Sequence, residues 1–151
     1  VSTEAARCKS NQSINVKTQE PDSMSAMSDY LELKFLDHFT GRASTSAPAA
    51  VYLGLSTGSM ADDNSGTELS GSGYARQAIT FAAAASASIS SNAAAEFPAA
   101  TGSWGSVSHW AIYDAATSGN QLFHGSFATA KTIATGDILK VASGDLTITA
   151  A

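Results

Sequence analysis

The sequence predicts an all-β fold: an antiparallel β-sandwich, jelly-roll or Ig-like in type, with one short N-terminal α-helix. Three observations carry this expectation. Helical periodicity occurs once, between Ser28 and Gly41. Beyond Gly41 the apolar residues recur at every second position. The alternating runs are short and are separated by clusters of Gly, Ser, Asn and Asp, the residues of turns.

Residues 1–27 show no hydrophobic period and predict an extended polar arm ahead of a domain spanning 28–151. Such an arm has no core of its own, so it orders only when something pins it; a neighbouring subunit is the expected partner. In "SDYLELKFLDHFTG", Ser28 or Asp29 can cap the helix, with Glu32 three residues after Asp29. Leu31, Phe35 and Phe39 recur at i, i+4 and i+8, Leu36 widens the stripe, and Gly41 supplies a left-handed stop.

The strands follow in order. "AVYLGLS" sets Val51, Leu53 and Leu55 on one face against Tyr52, Gly54 and Ser56 on the other. Residues 57–73 form a loop dense in Gly, Ser, Asp and Asn, and Tyr74–Phe81 resumes as a strand. The Ala/Ser run from Ala82 to Ala95 is ambiguous, because alanine prefers helix; its alternating small residues around Ile89 favour a tightly packed strand. In the next run Val107, His109, Ala111 and Tyr113 alternate with Ser108, Trp110 and Ile112, and Ala115–Asn120 turns the chain into "QLFHGSF". "DILKVA" and "DLTITA" predict a closing hairpin across "SGD".

Composition narrows the function. The chain has 151 residues, enough for one core without staples. Charged residues make up only 14% of it, against the ~25% usual in soluble domains, so Ser, Thr and Ala must cover much of the exterior. Such a surface suits a subunit packed among neighbours. A net charge of −5 with eight scattered cations argues against nucleic acid as a partner, because phosphate binding draws on clustered Lys and Arg. A single cysteine, Cys8, excludes an intrachain disulfide and a thiolate metal cage. There is no apolar run of about 18 residues to span a membrane and no basic-then-apolar leader pattern. An acidic, soluble chain made inside the cell is the expectation.

The candidate chemical sites fall away in turn. His109 and His124 approach each other if the strands pair around Ala115–Asn120, but no third ligand stands at metal-binding spacing. No G-x-S-x-G elbow is present, and the G-x-G of "GSGYAR" feeds a strand rather than a phosphate-binding helix. "ADDNSG" has calcium-loop composition without calcium-loop spacing. Both tryptophans invite a sugar-stacking reading, but Trp110, within a strand, predicts core, and Trp104, in a Gly/Ser turn, is the one more plausibly exposed. No catalytic residue, metal site or cofactor is predicted. Trp104, Trp110, Tyr113, Phe123 and Phe127 are expected in the core or an interface, and Ser28, Tyr30, Leu31, Phe35 and Phe39 on an attachment surface.

Five blocks, "SDYLELKFLDHFTG", "VYLGLSTG", "GYARQAITF", "FPAATGSWGSVSHWAIYDAATSGNQLFHGSF" and "GDILKVASGDLTIT", resemble in that order a family of small tailed-bacteriophage virion proteins often called phage tail fiber protein. The resemblance covers the chain from about Ser28 onward and is most specific in "SWGSVSHWAIYDAA". It implies a structural protein on the outer surface of the virion and brings no catalytic residues. The first expectation is a capsid decoration (cement) subunit that binds the major capsid protein and stabilises the head. A tail fibre or tail-tip component that recognises a host glycan comes second. A compact chain, a polar arm and an acidic balance favour decoration. The expected assembly is a homo-oligomer, a trimer at a capsid threefold position, with residues 57–73 facing solvent or host.

Overall fold

The computed structural model describes residues 26–149 and the backbone of residues 11–14. The rest of the predicted arm, and with it the expectation that a neighbour pins it, lies outside these residues. Two stretches within the arm's predicted bounds are strands of the fold. β1 (Asn11–Ile14) pairs in parallel with Ile138–Val141. β2 (Ala26–Met27) joins the main sheet, Ala26 opposite His124 and Met27 opposite Phe123.

The one helix is α1 (Asp29–Phe39). Ser28, not Asp29, is its N-cap, with an extended backbone and a hydroxyl that accepts from the Leu31 N–H. Asp29 and Glu32 in the first turn and His38 in the last suit the helix dipole. The Thr40 N–H closes the helix on the Leu36 carbonyl, and Gly41 follows in the left-handed region at φ +74°.

Eight further strands complete the fold: β3 (Val51–Ser56), β4 (Gln77–Ile79), β5 (Ser88–Ser90), β6 (Ala95–Glu96), β7 (Gly105–Tyr113), β8 (Gln121–Ile133), β9 (Ile138–Val141) and β10 (Thr147–Thr149). An antiparallel five-stranded sheet runs β2-β8-β7-β3-β4, with smaller sheets β1-β9-β6 and β10-β5 beside it. The core lies between them. Leu53, Leu55, Trp110, Ile112 and Phe127 from the large sheet meet Leu139, Val141 and Ile148 from the small ones and Phe97 and Leu146 beside them, all buried. The fold is therefore mostly β, antiparallel and sandwich-like, with a single short helix. Trp110 illustrates how tightly the layers pack. Its cross-strand partner is Gly125, and a Cβ there would fall 2.6 Å from the indole Cζ2.

Local expectations change in four places. The closing hairpin does not form: β9 pairs with β6 and β1, whereas β10 pairs with β5. The Ser143–Asp145 turn is instead held by Ser91, whose carbonyl accepts from the Gly144 N–H and whose own N–H donates to Leu146. The two alternating runs are thereby sent to different sheets. Tyr74–Phe81 is regular strand only over β4, with an isolated bridge from Phe81 to Ser91. Within Ala82–Ala95 the chain turns back at Ser86 and Ala87, both at positive φ, and only Ser88–Ser90 is a strand of any length. Finally, Val107 does not share the face of His109 and joins the core with Trp110 and Ile112. Four residues of β8, Phe127 to Ala130, stand opposite the single Ser108, and this bulge resets the alternation.

Candidate functional site

The second face of the large sheet carries Gly54, Ser56, His109, Ala111, Tyr113 and His124. The loop of residues 57–73 covers it. The structure lays this loop across the sheet with most of its residues, among them 62–65 and 70–73, still exposed to solvent as the sequence predicts. Met60 is buried against Ala111 and Tyr113. The Leu69 N–H donates to the Leu55 carbonyl, the Ser56 hydroxyl to Thr67, and the Gln121 side-chain amide to the Ala61 carbonyl. A loop with so many main-chain anchors is part of the sandwich rather than a free tip.

At one end of this face Arg76 is the central tie. Its guanidinium makes a bidentate pair with Glu68, at 2.8 and 2.7 Å, and donates to the carbonyls of Ala115 and Ser118. It also stacks on Tyr113, 3.4 Å from the ring centroid. The Tyr74 hydroxyl donates to Glu68 at 2.6 Å and accepts from the Leu55 N–H. Burial and the neighbouring carboxylate push the Tyr74 hydroxyl well above its ordinary range, and raise Tyr113 to about 12. For Arg76, burial opposes the charge, but the bonds and charge of Glu68 outweigh it and raise the pKa. An open cavity of about 320 Å³ lies beside the group, lined by Ser70, Thr117 and Ser118 among others. Both Glu68 oxygens and three guanidinium nitrogens are already engaged, so the group rivets loop, turn and sheet together. No periodic signal points to it in the sequence; the one hint is that charges are scarce, so a strand arginine and a loop glutamate stand out.

At the other end the two imidazoles do come together. His124 lies opposite Ala111, two positions from the Ser126 that faces His109. His124 Nε2 is 2.5 Å from the Asp62 carboxylate, and His109 Nδ1 is 2.8 Å from the Ser108 hydroxyl. Burial, and then the nearness of His124, hold the His109 pKa below the usual imidazole range. Among the described residues no group of three or more His, Cys, Asp or Glu side chains is placed to hold a metal. The Ser65 side chain, and then the Ser65 N–H that Asp63 accepts from in a local turn, lower the Asp63 pKa, and the loop has no calcium-loop form. The pair latches the loop to β8.

The aromatic residues named from the sequence fall mostly inside. Trp110 is 3% exposed and Trp104 only 5%. Trp104, expected to be the more exposed, donates its indole N–H to the Ser72 carbonyl and meets Tyr74 and Phe97 edge-on. Neither of its faces is open to stack on a sugar. Phe127 and Tyr113 are buried, and Phe123 is half-buried against the core.

The residues named for attachment divide in two. Ser28 and Leu31 point inward. The Ser28 hydroxyl donates to the Gln121 carbonyl, its N–H donates to Leu122 at 2.9 Å, and Leu31 packs on the core. The Asp29 N–H reaches the Asp62 carbonyl, so the first turn of α1 is moored to both β8 and the loop. Beyond that turn the helix stands clear. Tyr30, Phe35 and Phe39 are exposed, as are Leu33 and Leu36, and α1 buries none of its own residues. Leu33 was not picked out from the sequence, although its i, i+3 spacing to Leu36 was the signal that could have found it. The Phe35 and Phe39 ring centroids lie 4.5 Å apart, and Phe39 also meets the His38 ring edge-on at 5.2 Å.

Comparison with known families agrees with the kind of molecule this geometry describes. A family model described as podophage GP4 fiber I protein gp80 matches residues 26–149. The chain belongs to this family. The match covers every strand from β2 to β10 and the whole of α1. Family membership makes this a bacteriophage structural protein of the fibre type, located in the virion. No curated protein matches the chain. Among the described residues no helix is long and apolar enough to cross a membrane.

Proposed function

We propose that the chain is a non-catalytic building block of a phage fibre, held to its neighbours in the particle by the outward face of α1. The observation that carries this reading is the contrast within one short helix: a first turn fixed to the sheet by main-chain bonds, followed by Leu33, Phe35, Leu36 and Phe39 left uncovered. The family description, which names a fibre protein, supports the fibre over other positions in the virion. The Arg76–Glu68 and His124–Asp62 pairs support the absence of catalysis, because both are used in holding the loop down.

Capsid decoration, the position expected first from the sequence, remains the second reading. It is favoured by the acidic balance of the chain, net −5, which suits a shell exterior better than a DNA-lined interior. Binding to the major capsid protein belongs to that reading. Host glycan recognition would need a surface other than Trp104.

Copy number separates the two. In purified particles, the band of this protein measured against the major capsid protein is expected to correspond to few copies, with antibody labelling at a fibre. Hundreds of copies spread over the head would replace the fibre with decoration. Complete absence from purified particles would overturn both.

A further inference from the structure

The outward face of α1 has the size and charge layout of a surface that meets its own copy. Leu33 is 65% exposed, Phe35 50%, Leu36 57% and Phe39 72%. At ~200 Å² per large side chain, they expose on the order of 500 Å² of apolar surface in total, within the ~300–600 Å² range of the largest patch on a monomer. A stable standard interface takes about 800 Å² per partner, so this face, with Met27 and Tyr30 at its margin, suffices for a concentration-dependent contact rather than a permanent one.

Charge decides how two such faces can meet. Glu32 is exposed on the same face, one turn before Phe35 and Leu36. The opposite end of the helix carries His38 and, just past the cap, Arg42, whose side chain is 80% exposed and pairs with Asp37 at 3.0 Å at the surface. Helices aligned in parallel, including three around a threefold axis, would gather their Glu32 carboxylates against one another among apolar side chains, where like charges repel strongly. An antiparallel pair sets each Glu32 beside the other helix's Thr40 and Arg42, and also opposes the two helix dipoles.

We infer that α1 is a homotypic contact in which two copies of this chain pack their helices antiparallel about a twofold axis close to Leu36. Leu33 of each copy then meets Phe39 of the other, and Leu36 meets its own equivalent. This rests on the reading of α1 as an assembly surface, and names the partner of that surface. It replaces a threefold cluster of helices with an isologous pair, the commonest closed symmetry of soluble oligomers.

The test uses the full chain with Cys8→Ser, so that each introduced cysteine is single. Sedimentation should show monomer passing to dimer as concentration rises, and Leu36→Glu should weaken that association by about tenfold or more while leaving the far-ultraviolet spectrum unchanged. Under mild oxidation Leu36→Cys should cross-link to itself. Leu33→Cys should not, but should cross-link when mixed with Phe39→Cys. A monomer at every concentration overturns the inference, as does Leu33-to-Leu33 cross-linking, which would establish a parallel arrangement. Incorporation of Leu36→Glu into particles is measured alongside. Loss of incorporation by a chain whose parent is monomeric would keep α1 as an assembly surface with another occupant. Normal incorporation of a variant that no longer dimerises would remove α1 from assembly and leave the dimer standing.

Discussion

The large sheet and the helix use the same side-chain types to opposite ends. Leu53, Leu55 and Ile112 lie on strands whose two faces are covered, by the small sheets on one side and by the 57–73 loop on the other. Leu33, Leu36, Phe35 and Phe39 lie on an element fastened at one end only, and solvent reaches all of them. Burial of apolar surface at ~25 cal/mol per Å² stabilises the sheet within the chain, whereas the equivalent surface on α1 contributes to stability only after another chain covers it. Hydrophobic patterning therefore specifies that a face will be covered, without specifying whether the cover comes from within the molecule.

Four measurements would break or sharpen that contrast. The largest effect is expected at Trp110, whose indole lies across Gly125 between the layers. Trp110→Ala should destabilise the isolated chain by about 3–5 kcal/mol in denaturant titration, and an unchanged midpoint would remove the indole from the core. Next comes Arg76→Ala, which strands the Glu68 carboxylate beneath Tyr74 and should cost about 3 kcal/mol. The double replacement Arg76→Met with Glu68→Leu should cost clearly less than the single one, because no charge is then left unpaired. If the double variant is the worse of the two, the pair holds the loop by more than its mutual attraction.

On the helix the same kind of substitution should do almost nothing to folding. Phe35→Ser and Phe39→Ser are each expected to stay within about 0.5 kcal/mol of the parent in thermal melts, while Leu31→Ser on the inward side should cost more. Substantial melting-point losses at Phe35 or Phe39 would mean that the isolated chain already covers them.

The smallest effect concerns His109. Its pKa is depressed in the folded state, by burial first and His124 second, so the unfolded chain takes up its proton at higher pH. Stability from this residue is complete above the unfolded value of about 6.5 and is lost as pH falls through the folded value. His109→Asn should flatten the melting temperature between pH 7.5 and 5 relative to the parent; an unchanged slope would assign the acid sensitivity elsewhere.

Much of this architecture is legible in the amino-acid order. The single helix, its cap at Ser28 or Asp29, the alternating runs and the burial of Trp110 follow from local rules, since capping, periodicity and turn chemistry act over a few residues. The bulge that moves Val107 onto the core face, the separation of β9 from β10 by Ser91 and the folding of the 57–73 loop over the sheet do not follow. Each depends on a contact between residues far apart in the chain, and loop closure leaves no periodic trace. The Arg76 rivet belongs with these, because Glu68, Tyr74, Tyr113, Ala115 and Ser118 converge on it from three segments. The sequence alone determined that this is a β-rich chain with an amphipathic helix. Only the tertiary structure decided that the helix keeps its apolar face outward, because covering that face is a matter of what the sheet has room to pack against.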